Sequence, residues 1–560
     1  MVVTYGIRSR KGVGVQPSTV FRNGAVFDGT AHRPRHAVVV TGGRITAVVP
    51  ESEAGEYVGR GSTEIDLAGG MVLPGFQDAH AHPVQGGLER LRCDLSDLST
   101  REEYLVAVKA YAEAHPQNLW ICGGGWTLSV FGPTGPTAAD LDAVVPDRPV
   151  FLPNRDHHGA WVNSRALELA GVDERTPDPV DGRIERDAAG RPTGTLHEGA
   201  MSLVERLITT TTDDEYYQAF LVAQEYLHSL GITAWQEAIL GDYAALDDPS
   251  STYVRAAESG ELTARVRGAL WWERDHGVEQ VEALLERRRV LTRDRFNPAS
   301  VKVMQDGIAE NYTAAMTAPY LDGCGCGTRN TGLSFVDPAV LREGVVRLDA
   351  EGFQVHVHAI GDRAIREALD AFEAARATNG PNDLRHHIAH IQVVHPDDRG
   401  RFADLGVVAN MQPLWAHLDE QMSELTLPYL EQERATWQYP FGDLARAGAR
   451  LAAGSDWPVS TPDPMQGIHV AVNRWAYGEP GPAGSEAFLP EQAIDLAQAL
   501  AAYTSGSAFV NHLDETGRIA PGMLADLAVL DRDPFEGEPA QIGATSVVAT
   551  YVDGEPVFTR

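Results

Sequence analysis

From Val72 to Ser455 one pattern recurs in this chain: a short apolar run, a helical period closed by glycine, then another apolar run. Short apolar runs bounded by turn residues read as buried strands, and helices between them predict parallel strands joined by crossovers. Thr212-Asp213 caps a helix with apolar positions at Tyr217, Phe220, Leu221 and Leu227; Gly231 ends it and strand Ile232–Glu237 follows. Strand Ala264–Trp271 leads through helix Val278–Leu291 to strand Ser300–Met304. Helix Pro338–Ala350 feeds strand Phe353–His358, helix Asp362–Ala377 feeds His386–Ile391, and helix Pro396–Leu405 feeds Val407–Met411. A short helix near Phe441–Ala447 precedes strand Arg450–Ser455. With the run that ends at His82, the count predicts an α/β fold, a (β/α)8 barrel.

Two stretches fall outside the repeat. Residues 99–207 are too long for one connection and predict an insertion over the barrel mouth, with a hairpin at Asp187–Gly190. Both chain ends are β-rich: runs near Val20, Ala25, Ala37 and Ile45 are split by Asn23-Gly24, Asp28-Gly29 and Gly42-Gly43, and the C-terminus repeats the style through an Asp553-Gly554 turn. The expected organisation is therefore a composite β-domain from residues 1–72 and 509–560 around a barrel at 73–508.

Composition narrows the partners. The 560 residues carry 46 Lys and Arg against 78 Asp and Glu, a net charge of −32, which argues against nucleic acid and anionic membrane surfaces. No apolar run reaches the ~18 residues of a membrane span. The basic stretch Met1–Val15 lacks an apolar segment and a cleavage site. Four scattered cysteines form no disulfide framework, so a reducing cytoplasm is the expected compartment, and Cys324-Gly-Cys326 reads as a glycine-rich loop rather than a metal site.

The chemistry gathers at predicted strand ends. In Val72-Leu73-Pro74-Gly75-Phe76-Gln77-Asp78-Ala79-His80-Ala81-His82 the two histidines share a face, because strand side chains alternate. Lys302, His358, His390 and Asp456 close strands four, five, six and eight. Barrel active sites lie at the C-terminal strand ends, and imidazole with carboxylate suits zinc and similar ions. Parity alone leaves His356 beside His358, and His386 and His387 beside His390; strand-end position favours His358 and His390. A lysine beside cations makes sense if its amine is neutral and carboxylated, giving a carbamate that bridges two metals. Asp456, buried at the end of an apolar strand, is the expected general base on a water activated by the metal. Trp126, Trp271, Trp415 and Trp457 fall near strand ends and read as walls of an aromatic pocket.

Taken as a set, these segments resemble the amidohydrolase superfamily, in the family 3 branch that includes N-substituted formamide deformylases. Besides the His80-Ala81-His82 run, the carrying pieces are Val301-Lys302-Val303-Met304-Gln305-Asp306-Gly307, Gln354 to Asp362, Asn410-Met411-Gln412-Pro413, Gly454-Ser455-Asp456-Trp457-Pro458-Val459 and Gly517 to Leu527. The chain departs from the family pattern at Gln305, usually alanine, and Met523, usually lysine. The resemblance implies a metal-bearing barrel with a β-sandwich from both termini, holding one or two zinc-like ions and acting on a small amide, and it makes His157 and His158 of Asn154-Arg155-Asp156-His157-His158 substrate-side candidates; the tryptophans add the expectation of an apolar or aromatic group on that substrate. A formamide cleaved to formate and an amine is the first expectation; another amide, a cyclic amide, a carbamate or an ester are alternatives within the superfamily, and a homodimer is an allowed assembly. A metal-free scaffold would require lost ligand positions, and all are filled here.

Overall fold

The computed structural model describes residues 18–560 except 60, 97, 133, 209–210, 244–245 and 479–486; the basic stretch Met1–Val15 lies outside the described residues. Eight strands form one sheet in chain order: β1 Phe76–Ala81, β2 Ile232–Leu240, β3 Arg265–Trp271, β4 Phe296–Met304, β5 Gln354–Ala359, β6 His387–His390, β7 Val408–Met411 and β8 Leu451–Ala453. Every neighbouring pair is parallel. Past the end of β8, Asp456 N–H donates to His80 O (2.8 Å) and His82 N–H to Trp457 O (2.7 Å), drawing the last strand onto the first. The result is a nearly closed (β/α)8 barrel.

The crossover helices form where local signals agree with burial. Thr212 accepts from Glu215 N–H in a reciprocal capping box ahead of helix Asp213–Ser229, and Asp337 caps helix Pro338–Ala350. Helix Asp362–Asn379 buries Ile365, Ala368, Leu369, Phe372 and Ala375, one face at helical spacing. Each large side chain of that stripe contributes about 1.5–3 kcal/mol of transfer free energy. Gly406, at φ 72°, ends helix Pro396–Leu405 in the left-handed conformation that other residues adopt only with strain.

The termini interleave. Ser18–Arg22, His36–Thr41, Arg44–Pro50 and Thr63–Asp66 make one sheet; Ala25–Phe27, His32–Arg33 and Met71–Pro74 join Leu527–Leu530, Val547–Val552 and Glu555–Thr559 in another. Phe21, Val38, Val72, Leu527 and Tyr551 share their core. The run that reads as one strand in sequence thus serves two sheets. It crosses at Gly75, where a Cβ would meet the Thr233 side chain at 2.4 Å, rather than at the expected 72/73 boundary.

The insertion has its own mixed sheet, which starts at Cys93–Asp94, earlier than expected, and ends at Pro192–Glu198. Its hairpin turns at Asp187–Gly190, where Asp187 N–H donates to Arg191 O. Cys324 and Cys326 are free and exposed. Among the described residues no helix is long and apolar enough to cross a membrane.

Candidate metal centre

His80 is the penultimate residue of β1 and His82 follows its end, Lys302 lies within β4, His358 within β5, His390 ends β6, and Asp456 follows β8. All sit at the C-terminal mouth. Asp456 Oδ1 lies 3.1 Å from His80 Nε2 and 3.1 Å from His82 Nε2, and its Oδ2 lies 3.8 Å from His390 Nδ1. Donor atoms of His80, His390 and Asp456 all fall within 4.8 Å of one another. His358 stands against His390 with ring centroids 4.4 Å apart, and Lys302 Nζ lies 3.4 Å from His80 Nε2. The structure thus gathers His80, His82, His390 and Asp456 tightly, with Lys302 and His358 against that group. His390 (φ 78°) and Asp456 (φ 57°) both adopt the left-handed conformation. Such strain costs about 1–3 kcal/mol per residue and gathers at functional sites.

Burial dominates the electrostatics. It pushes the His80 imidazole down to about 3, helped by the Lys302 ammonium, and holds His358 and His390 well below the usual histidine range. Lys302 is pushed down to about 7 by burial, against the pull of Asp456. For Asp456, burial raises the pKa, but the facing imidazoles of His80, His82 and His390 outweigh it and keep the group ionised. Both nitrogens of His390 are buried without a hydrogen-bond partner among the described residues. A buried polar group left unpaired costs about 1–3 kcal/mol. Neutral imidazoles with idle lone pairs, grouped around an ionised carboxylate, form a donor set that fits a divalent, zinc-like ion.

A further layer holds these groups, and only part of it was legible in the sequence. His356, the parity alternative to His358, lies beneath the cluster, its Nε2 2.8 Å from His80 Nδ1. His386 points away to Asp349 (2.9 Å), and His387 stacks beside His356 with Asn410 on its Nδ1. Asp306, held by the N–H groups of Ala315, Ile360 and Gly361, lies 3.2 Å from His358 Nδ1. Glu237, bonded by Tyr253 Oη, lies 3.7 Å from His82 Nδ1. Asp78 accepts from Ser455 Oγ at 2.6 Å, tying β1 to the turn that carries Asp456. Asp78 and Asp306 lie inside quoted motifs; Glu237 could have been found as an acidic residue near the end of an apolar strand.

The tryptophans divide. Trp415 stacks flat on His390, with centroids 5.4 Å apart and planes at 4°. Trp415 and Trp457 line a cavity of about 430 Å3 beside the cluster, and Trp271 borders another of about 490 Å3. Trp126 does not reach the site. It is fully buried in the core of the inserted sheet, donating to Leu152 O at 2.7 Å and packing edge-on to Trp161, because the bridge it makes with Asn154 just past strand Ile121–Gly124 places it in that core. His157 and His158 reach the cavity at the cluster; His157 contacts Gln85 and Glu89, and His158 pairs with Glu198.

A barrel with unpaired histidine nitrogens and a carboxylate at its mouth is the architecture of a metal-dependent hydrolase. The amidohydrolase family pattern matches residues 63–558, and the chain belongs to that family of hydrolytic enzymes acting on carbon–nitrogen bonds. It is 31% identical over 97% of its length to Protein LONG AFTER FAR-RED 3 of Arabidopsis thaliana, covering 92% of that protein. It is 29% identical to an N-substituted formamide deformylase of Arthrobacter pascens, covering 94% of this chain and 95% of that one. Its fold matches the crystal structure of an uncharacterized metal-dependent hydrolase from Pyrococcus horikoshii OT3 with TM-score 0.71 and 26% identity, over 93% of this chain and 99% of that one.

Proposed function

We propose that this protein hydrolyses N-substituted formamides, releasing formate and an amine. The observation that carries the reading is the site's asymmetry. The cavity directly at the cluster is narrow and much smaller than its neighbour of about 430 Å3, which is walled by Tyr226, Trp415, Tyr439 and Trp457. A one-carbon acyl group suits the narrow part, and an apolar or aromatic N-substituent suits the wide part. The formamide deformylase relative supports the same choice. The cavity of about 490 Å3 on the other side, bordered by Trp271 and Arg274, favours a second reading in which the acyl group is larger than formyl.

One or two zinc-like ions would be held by His80, His82, His358, His390 and Asp456, and Lys302, as a carbamate, would add a carboxylate-like oxygen donor to that set. Such an ion polarises the amide carbonyl and makes water acidic enough to attack near neutral pH. Asp456 takes the proton from the attacking water and returns it to the departing nitrogen. Its ionised state and its place between His80, His82 and His390 support both steps. Lys302, which burial pushes down to about 7, has an amine able to add carbon dioxide. Trp415, flat on His390, fixes that ring and presents its other face to substrate.

The test is a panel of N-benzyl and N-alkyl formamides, longer N-acyl amides and lactams, read by formate and amine release. Selective release of formate supports the proposal. Turnover confined to larger acyl groups replaces it with the second reading, and no turnover of any amide removes both.

A further inference from the structure

The wide cavity of about 430 Å3 has aromatic walls and an acidic end without a lysine or arginine partner. It joins the narrow cavity at the metal cluster through Asp156, Ile308, Ile360, Trp415 and Val459, which line both. Three chain segments bring carboxylates to it: Asp156 from the insertion, Glu310 from the β4–β5 loop and Asp419 from the β7–β8 loop. Asp156 Oδ1 accepts from His158 N–H (2.9 Å), Glu310 Oε1 from Thr426 Oγ1 (2.6 Å) and Asp419 Oδ1 from Met422 N–H (2.7 Å), so a neutral donor fixes each one. The two arginines of this cavity are engaged elsewhere. Arg90 lies over the Tyr226 ring at 4.1 Å, and Arg155 donates to Ser96 O.

Burial pushes the Glu310 carboxyl up from its ordinary value, the Thr426 hydroxyl opposes the shift, and the facing charges of Asp156 and Asp419 add to it. Like charges gathered in a partly closed cavity cost free energy unless a counter-charge meets them. Gln392, 3% exposed, stands in the same wall. Its Nε2 donates to Gln438 Oε1 (3.1 Å), and among the described residues its own Oε1 accepts no hydrogen bond. An idle amide oxygen buried at a cavity wall fits a ligand that donates hydrogen, as the carboxylates fit one that is positive. Trp415, Tyr439 and Trp457 add ring faces of the kind on which an ammonium group rests.

We infer that the N-substituent of the substrate ends in an ammonium group, held in this cavity by Glu310, Asp156 and Asp419 against the aromatic wall, with Gln392 Oε1 accepting one of its hydrogens. The inference rests on the formamide hydrolase reading and narrows it. The substrate class becomes the mono-formamide of a diamine rather than of a simple alkyl- or arylamine. Glu310 and Asp156 are then specificity residues that touch the substituent and not the reacting carbon.

The experiment compares N-(4-aminobutyl)formamide, cationic at neutral pH, with its uncharged isostere N-pentylformamide and the anionic N-(3-carboxypropyl)formamide. It uses metal-loaded full-length wild type and the variants Glu310→Gln, Asp156→Asn and Glu113→Gln, each checked for folding by its melting curve. Glu113, exposed on helix Arg101–Ala114, controls for the field of the whole acidic surface. The expected result is a kcat/KM for the cation above that of the isostere by about tenfold or more, carried by KM, with the anion poorest. That preference should vanish in Glu310→Gln, shrink in Asp156→Asn and hold in Glu113→Gln. Calorimetry with the pentylammonium ion, which cannot be hydrolysed, should give the same order of affinities across the four proteins. A wild type that treats cation and isostere alike, a preference that survives Glu310→Gln, or an equal loss in Glu113→Gln would overturn the assignment. A wild type that hydrolyses no formamide would instead remove the hydrolase reading, and the pentylammonium series would still decide whether the cavity holds a cation.

Discussion

The two ends of this barrel bury polar groups in opposite ways. At the N-terminal end, Arg265 at the start of β3 donates from Nε and Nη2 to Asp526 (2.7 and 3.1 Å) and also reaches Asp553, which pairs with Arg295; Arg267 donates to the carbonyls of Asn511 and His512. The Asp526 carboxylate there meets a guanidinium fork and the Asp553 N–H. At the C-terminal end, both nitrogens of His390 are buried with no partner among the described residues, and His390 and Asp456 are held in strained backbone. A paired network fastens the terminal sheets to the barrel; an unpaired one stores the capacity to bind something. Division of a barrel into a stabilising face and a reacting face is general for this fold, and here it shows in which polar atoms have partners.

The comparison breaks most easily at the mouth. Asp456→Asn should keep the fold and most of the metal but lose about 10²–10⁴ in kcat, as for a missing general base. Near-normal turnover would take Asp456 out of the mechanism. Lys302→Ala should lose bridged metal and most activity, with partial recovery on adding acetate or propionate. An ordinary rim lysine would tolerate the change within about 0.5 kcal/mol of stability, and an unmodified wild-type lysine at a fully loaded, active site would refute the carbamate.

Changes at the other end should move stability and leave chemistry alone. Arg265→Ala strands the buried Asp526 carboxylate and should cost about 3–5 kcal/mol in unfolding free energy, with kcat of the folded fraction unchanged. A large kcat effect without lost stability would contradict the division. Smallest of all, Trp126→Phe removes one hydrogen bond in the inserted core, about 0.5–1.5 kcal/mol, and should leave KM at the wild-type value. A raised KM would return Trp126 to the substrate pocket.

Much of the frame was legible because periodicity and caps report local structure directly. The apolar runs at Val301 to Met304 and Val355 to His358, with Gly352 and Gly406 closing the helices before β5 and β7, predict strands that the barrel contains. The His80-Ala81-His82 alternation places two imidazoles on one face, and both rings reach Asp456. Parity says nothing, however, about depth along a strand. It leaves His356 and His358 equivalent, whereas the structure sets His356 one layer below, on His80. Glu198 was invisible because it meets His158 only through an antiparallel ladder whose register no single strand encodes. Trp126 misled because a tryptophan near a strand end looks the same whether the strand faces a cavity or a separate core.

The central claim is that the imidazoles and the Asp456 carboxylate gathered at the barrel mouth are metal ligands. Elemental analysis of the purified wild type against His80→Ala and His390→Ala, each checked for folding by its melting curve, addresses it directly. The account predicts one to two zinc-like ions per wild-type chain, their loss in both folded variants, and loss of hydrolysis when a chelator strips the wild type. Equal metal content in wild type and variants, or full activity in rigorously metal-free protein, would contradict it.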